Sequence, residues 1–274
     1  MENNRRDDSR FDRSAAGPYR ARRQHAAGSA QRVRGQSTGH PRIMKVVSVE
    51  FHLFGPAHLV ILASVPSVAW VLTGLARHRP ARARRLAAAL GIVLAVNELV
   101  WYVYVVHSEG FRFPDGLPLE LCDLILWLTV AALLTLRPLI FEFAYLIGVA
   151  GSGAAILTPD LGVPLDTYAG INFFVTHGAV VASLLFLVWS GIARPRPGCI
   201  WRALGLLNAY AAAIGGFDAL FRTNYMYLCR KPESISILDL FGPWPIYIAG
   251  GEALALMLFW LLWLPFRSKS RTER

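Results

Sequence analysis

The sequence predicts an all-α fold, a polytopic membrane helix bundle with about seven transmembrane helices, and three observations carry this reading. Apolar runs fill nearly everything after Phe54, each close to the roughly 20 residues that a spanning helix needs. The chain is 54% hydrophobic, with a mean hydropathy of +0.40. The runs neither shorten nor alternate apolar with polar residues, as the strands of a membrane barrel would.

In chain order the runs are 57–76, 86–106, 118–136, 139–157, 171–192, 201–221 and 244–266. Pro66 predicts a kink in the first. Gly148, Gly151 and Gly153 in the fourth run, and Gly215 and Gly216 in the sixth, predict close helix approach. Residues 222–243 are long for a connection between spans, and long loops tend to carry function. With Tyr225, Tyr227, Phe241 and Trp244, aromatic residues of the kind favoured at the membrane interface, this stretch is expected to be a lid or rim.

The chain divides into a basic tail (1–43), the seven-helix domain (44–266) and a short basic C-terminal tail (267–274). The first tail is rich in Arg, Gly, Ser, Gln and Ala; having almost no aliphatic residues to bury, it is expected to be disordered. No apolar core of a secretory signal follows its charges, and Met44 is an alternative start. Of the three cysteines, Cys199 and Cys229 flank the sixth run and belong on opposite membrane faces, so they cannot pair. Nothing resembles a metal site or phosphate-binding loop, and no cofactor is expected.

A formal charge of +10 would suggest nucleic acid in a soluble protein. Here the basic residues sit in tails and short loops, and the expected partners are membrane lipids, with anionic headgroups at those loops. Let side A carry the N-terminus of the first span and side B lie opposite. Thirteen Lys and Arg fall on side B, against four in the side-A loops. The positive-inside rule then places side B and the C-terminus in the cytoplasm and the N-terminus outside. The eleven basic residues up to Lys45 oppose that orientation unless synthesis begins at Met44.

Polar groups within the spans gather toward side A: His58 in the first, Asn97 and Glu98 in the second, Glu120, Cys122 and Asp123 in the third, Asn172 and His177 in the fifth, Asp218 in the sixth and Glu252 in the seventh. Charged groups in hydrocarbon are costly and face the bundle interior or a wet cavity. One cavity open to side A is therefore expected, with His58, Asn97, Glu98 and Glu252 as substrate-binding candidates. Cys122 and His177 have the chemistry for covalent catalysis, because imidazole can take a thiol's proton at neutral pH. The same cavity also suits a transporter or a small-molecule-binding protein, with Glu98 and Glu252 as proton or cation sites.

Three stretches, FHLFGPAHL (51–59), LPLELCDL (117–124) and NYMYLCRKPESISILDLFGPWPIYI (224–248), together with His177 in NFFVTHG, resemble YwaF-like bacterial integral membrane proteins. That family is related to eukaryotic transmembrane protein 164, an acyltransferase that moves acyl chains between phospholipids through a cysteine. The resemblance implies a multi-pass protein of the bacterial cytoplasmic membrane acting as a lipid acyltransferase. It further implies Cys122 as nucleophile, His177 as base, and Asn224, Tyr225 and Lys231 as headgroup or cavity residues.

Overall fold

The computed structural model describes residues 51–77, 79–232 and 237–267. The 1–43 tail, and the 267–274 tail beyond Arg267, lie outside the described residues. Seven helices follow one another among these residues: α1 (Pro56–Ala76), α2 (Pro80–Glu109), α3 (Leu121–Thr135), α4 (Pro138–Leu157), α5 (Tyr168–Trp189), α6 (Cys199–Phe221) and α7 (Ile246–Arg267). Pro56, Pro80 and Pro138 each open a helix, where proline's missing N–H costs nothing and its fixed φ suits the first turn. Thr167 caps α5 by accepting from Gly170 N at 3.1 Å. The helix α1 runs through Pro66 without a break.

Six of the seven helices are long and apolar enough to cross a membrane. The expected third span, 118–136, folds differently. Only 15 residues are helical, about 22 Å at the α-helical rise, against a hydrocarbon core of about 30 Å. The shortfall lies at the A end. Tyr102 on α2 hydrogen-bonds Asp123 in the first turn of α3 at 3.4 Å. Glu98, one turn deeper on α2, lies eleven residues before the end of that helix, roughly 16 Å. The chain after α2 therefore runs back down into the bundle before α3 begins.

The helix α5 is the hub, packing on α1, α2, α3 and α4, while α6 and α7 flank α4. Leu184, Phe186 and Leu187 of α5 are fully buried beside Phe141 and Leu146 of α4 and Ile125, Leu126 and Leu133 of α3. A π-helical turn interrupts α4 at Ala144–Gly148. Adding a methyl group to Gly148 would bring it 2.8 Å from Leu184, 3.3 Å from Ile125 and 3.6 Å from Val180, so α3, α4 and α5 meet there. Gly151 is equally tight against Ile125, at 3.0 Å. Gly153 and Gly216 have nothing within 4 Å, and Gly215 only Leu228 at 3.8 Å, so close helix approach accounts for two of the five glycines.

At the B end, Glu142 of α4 is fully buried and paired to two arginines ahead of and within α6. Arg196 donates to it from its backbone N (3.0 Å), Nε (2.6 Å) and Nη2 (3.3 Å). Arg202 adds Nε at 3.0 Å and Nη2 at 2.7 Å. A buried charge that loses its last partner costs about 3–5 kcal/mol, but either arginine alone leaves one behind. Arg196→Ala and Arg202→Ala are expected to be mild singly and strongly non-additive together. Thermal unfolding of the detergent-solubilised single and double variants measures that coupling.

Candidate functional site

The recess at the A end follows from the late start of α3. Cys122 heads the inward stripe of that helix, which continues through Ile125, Leu126, Thr129 and Leu133, all buried. On the same stripe Cys122 is nevertheless an exposed residue. His177, half-buried, lies within an inward stripe on α5 that runs from Gly170 and Phe174 on to Val180, Val181 and Leu184. Ile125 and Val180 meet over Gly148, and Cys122 and His177 each stand three residues, about one turn, nearer side A. Both residues therefore lie at a similar depth along the bundle, and no hydrogen bond joins them.

The imidazole of His177 has a defined tautomer. Its Nδ1 lies 2.8 Å from the carbonyl oxygen of Phe173, and a carbonyl only accepts, so Nδ1 carries the proton. In the neutral ring Nε2 then holds the lone pair. Phe173 also packs against the ring, with centroids 4.3 Å apart, and holds its orientation.

Carboxyl groups surround the thiol. Those of Glu98, Glu120 and Asp123 lie close enough to act on it electrostatically, and Tyr210 of α6 is nearby. Glu98 is buried, and its carboxyl meets that of Asp123 within hydrogen-bonding reach, beside the Tyr102 hydroxyl. Trp127 Nε1 donates to the Tyr102 oxygen at 3.1 Å, and Asp123 accepts from Glu120 N at 3.0 Å. Sequence reasoning passed over Tyr102, Trp127 and Tyr210. Tyr102 was findable, because it stands four residues after Glu98 and so shares its helix face.

The other expected site residues have distinct surroundings. Asn97 donates to Asn172 Oδ1 (3.1 Å) and Thr176 Oγ1 (2.9 Å), tying α2 to α5. His58 is fully buried; its Nδ1 accepts from Phe54 N at 2.9 Å and its Nε2 donates to the Ile156 carbonyl at 2.8 Å. Both of its nitrogens thus brace α1 against the end of α4. Glu252 is half-buried and makes no hydrogen bond or ion pair among the described residues.

The segment after α6 folds over the recess. Asn224 Oδ1 accepts from the backbone N of Cys229 and Arg230, both at 3.0 Å, and its Nδ2 donates to the Arg230 carbonyl at 3.0 Å, closing a tight turn. Tyr225 donates its hydroxyl to the Pro114 carbonyl (2.8 Å) and accepts from Leu117 N (3.1 Å). Burial pushes that phenol up to about 12, which keeps the donor in place. Two carboxylates anchor the same turn: Asp218 accepts from Tyr225 N and Glu120 from Met226 N, both at 3.0 Å. Met226 and Tyr227 have positive φ, 54° and 56°, conformations that cost side-chain-bearing residues roughly 1–2 kcal/mol each. Lys231 lies 3.4 Å from Asp239 and 5.6 Å over the Tyr247 ring.

Removing the Glu120 acceptor frees a strained turn. Glu120→Ala is expected to destabilise by about 1–3 kcal/mol and to speed amide exchange across residues 222–232. Glu120→Gln, whose amide oxygen still accepts, should remain close to wild type. Hydrogen-exchange mass spectrometry of the full chain distinguishes the two.

Searches of curated proteins and of solved structures find no match. The profile of the TMEM164 family, by contrast, matches residues 53–263, a stretch running from the loop before α1 to the last turns of α7 and including every residue of the recess. On that match the chain belongs to the TMEM164 family of membrane proteins.

Proposed function

We propose that the protein is a membrane-embedded acyltransferase that moves acyl chains between lipids through Cys122, with His177 as its base. The observation that carries this reading is an exposed cysteine on an otherwise buried helix stripe, at the level of an imidazole whose Nε2 is the basic nitrogen. Cys122 Sγ attacks the ester carbonyl of a donor phospholipid while His177 Nε2 takes the thiol proton. The C–O bond breaks, and that proton passes to the departing lysolipid oxygen. An acceptor hydroxyl, its proton taken by His177, then attacks the thioester, releases the new ester and restores the thiol. No cofactor enters this cycle. On the outer face suggested by the basic-residue distribution, a phospholipid and not a cytoplasmic thioester is the donor.

Lipid profiles of bacterial membranes expressing wild type, Cys122→Ala and His177→Ala test the chemistry. Acyl redistribution seen only in wild type is expected, with a loss of at least about 100-fold in either variant, the scale of removing a nucleophile or its general base. Identical profiles in all three would exclude covalent catalysis.

The buried Glu98–Asp123 contact favours a second reading, in which the same recess binds a solute and the carboxyl pair exchanges a proton with it. In that case Glu98→Gln abolishes pH-dependent uptake into proteoliposomes, while Cys122→Ala leaves it unchanged. Uptake that persists in Glu98→Gln excludes this alternative.

A further inference from the structure

At the opposite end of the bundle a cleft of about 500 Å³ opens between α5 and α7. These helices both pack on α4 but share no packed face with one another, so the gap between them opens sideways, where the bilayer lies. Tyr145 of α4 forms its floor, Leu185, Val188 and Trp189 one wall, and Pro265 and Phe266 the other. The Tyr145 hydroxyl donates to the Leu262 carbonyl at 3.2 Å, which commits its proton within the protein. Arg194 stands at the rim. Its neighbours Arg196 and Arg202 are both committed to Glu142, whereas Arg194 makes no hydrogen bond or ion pair among the described residues.

An apolar slot between helices, open to the bilayer and ending at an uncommitted guanidinium in the headgroup layer, matches a phospholipid in both shape and charge. We propose that this cleft holds an acyl chain of one anionic phospholipid, with its phosphate bound by Arg194. The site lies in the leaflet opposite Cys122 and is independent of the reaction proposed there.

The test is native mass spectrometry of the full chain purified in detergent and supplied with phosphatidylglycerol or phosphatidylcholine. Wild type is expected to retain one phosphatidylglycerol in preference to phosphatidylcholine. Arg194→Gln should bind it about tenfold more weakly, the effect of losing one charge-assisted contact. Arg137→Gln, which removes another B-side loop charge, should retain it as wild type does. Val188→Trp fills the slot and should abolish retention of both lipids; Leu185→Trp serves the same purpose if that variant fails to fold. Equal weakening by Arg194→Gln and Arg137→Gln would reduce the effect to general surface charge and overturn the proposal. So would lipid retention in the filled variants, or displacement of the lipid by inorganic phosphate alone.

Discussion

A backbone that turns back inside a bilayer must hydrogen-bond its N–H and carbonyl groups without help from bulk water, and the stretch between α2 and α3 meets that demand with borrowed side chains. Tyr225 serves Pro114 and Leu117, Tyr210 serves Leu119 with a 2.9 Å bond to its carbonyl, and Asp123 serves Glu120 N. These donors and acceptors come from the segment after α6, from α6 and from α3. The late start of α3 therefore depends on the placement of three separate parts of the chain. It also sets Cys122, an exposed residue, in the first turn of that helix.

The connection works in both directions. Glu120 and Asp218 accept from consecutive backbone N–H groups of Tyr225 and Met226, so the loop that satisfies the descending backbone is itself held by carboxylates of the bundle. Below it, Trp244 Nε1 donates to the Leu228 carbonyl at 3.0 Å and the Tyr247 hydroxyl to that of Tyr227, extending the tie to α7. Asp218 Oδ2 is buried without a hydrogen-bond partner among the described residues, a rarity in folded proteins. The two ends of the bundle thus solve the buried-charge problem differently. At the B end one carboxylate is neutralised by two arginines, and at the A end several carboxyl groups share hydroxyls and backbone N–H groups.

That asymmetry bears on function. A carboxylate saturated by two guanidinium groups, like Glu142, is a clamp and has no capacity left for a substrate. The A-end groups are only partly satisfied, three of them act electrostatically on Cys122, and His177 stands at a similar depth with its Nδ1 committed to the Phe173 carbonyl. This is the kind of environment in which proton transfer and nucleophilic attack can be coupled.

Apolar runs alone determined that the chain is a helical membrane protein and where six of its spans lie, because the length and composition of a spanning helix are set by the thickness of the hydrocarbon. Helical rise and alternating direction were enough to bring His58, Glu98, Asp123, His177 and Asp218 to one end. The late start of α3 was not legible: 118–136 carries no charged residue apart from Glu120 and Asp123, and the partners that let its first residues leave the helix lie about a hundred residues away. Nor did the sequence separate braces from reactive groups. His58 was expected to bind substrate and His177 to act as a base, and packing engages both nitrogens of the first but only Nδ1 of the second. Tertiary structure decided those points, because a polar side chain's role in a bundle is set by which distant backbone groups claim its donors and acceptors.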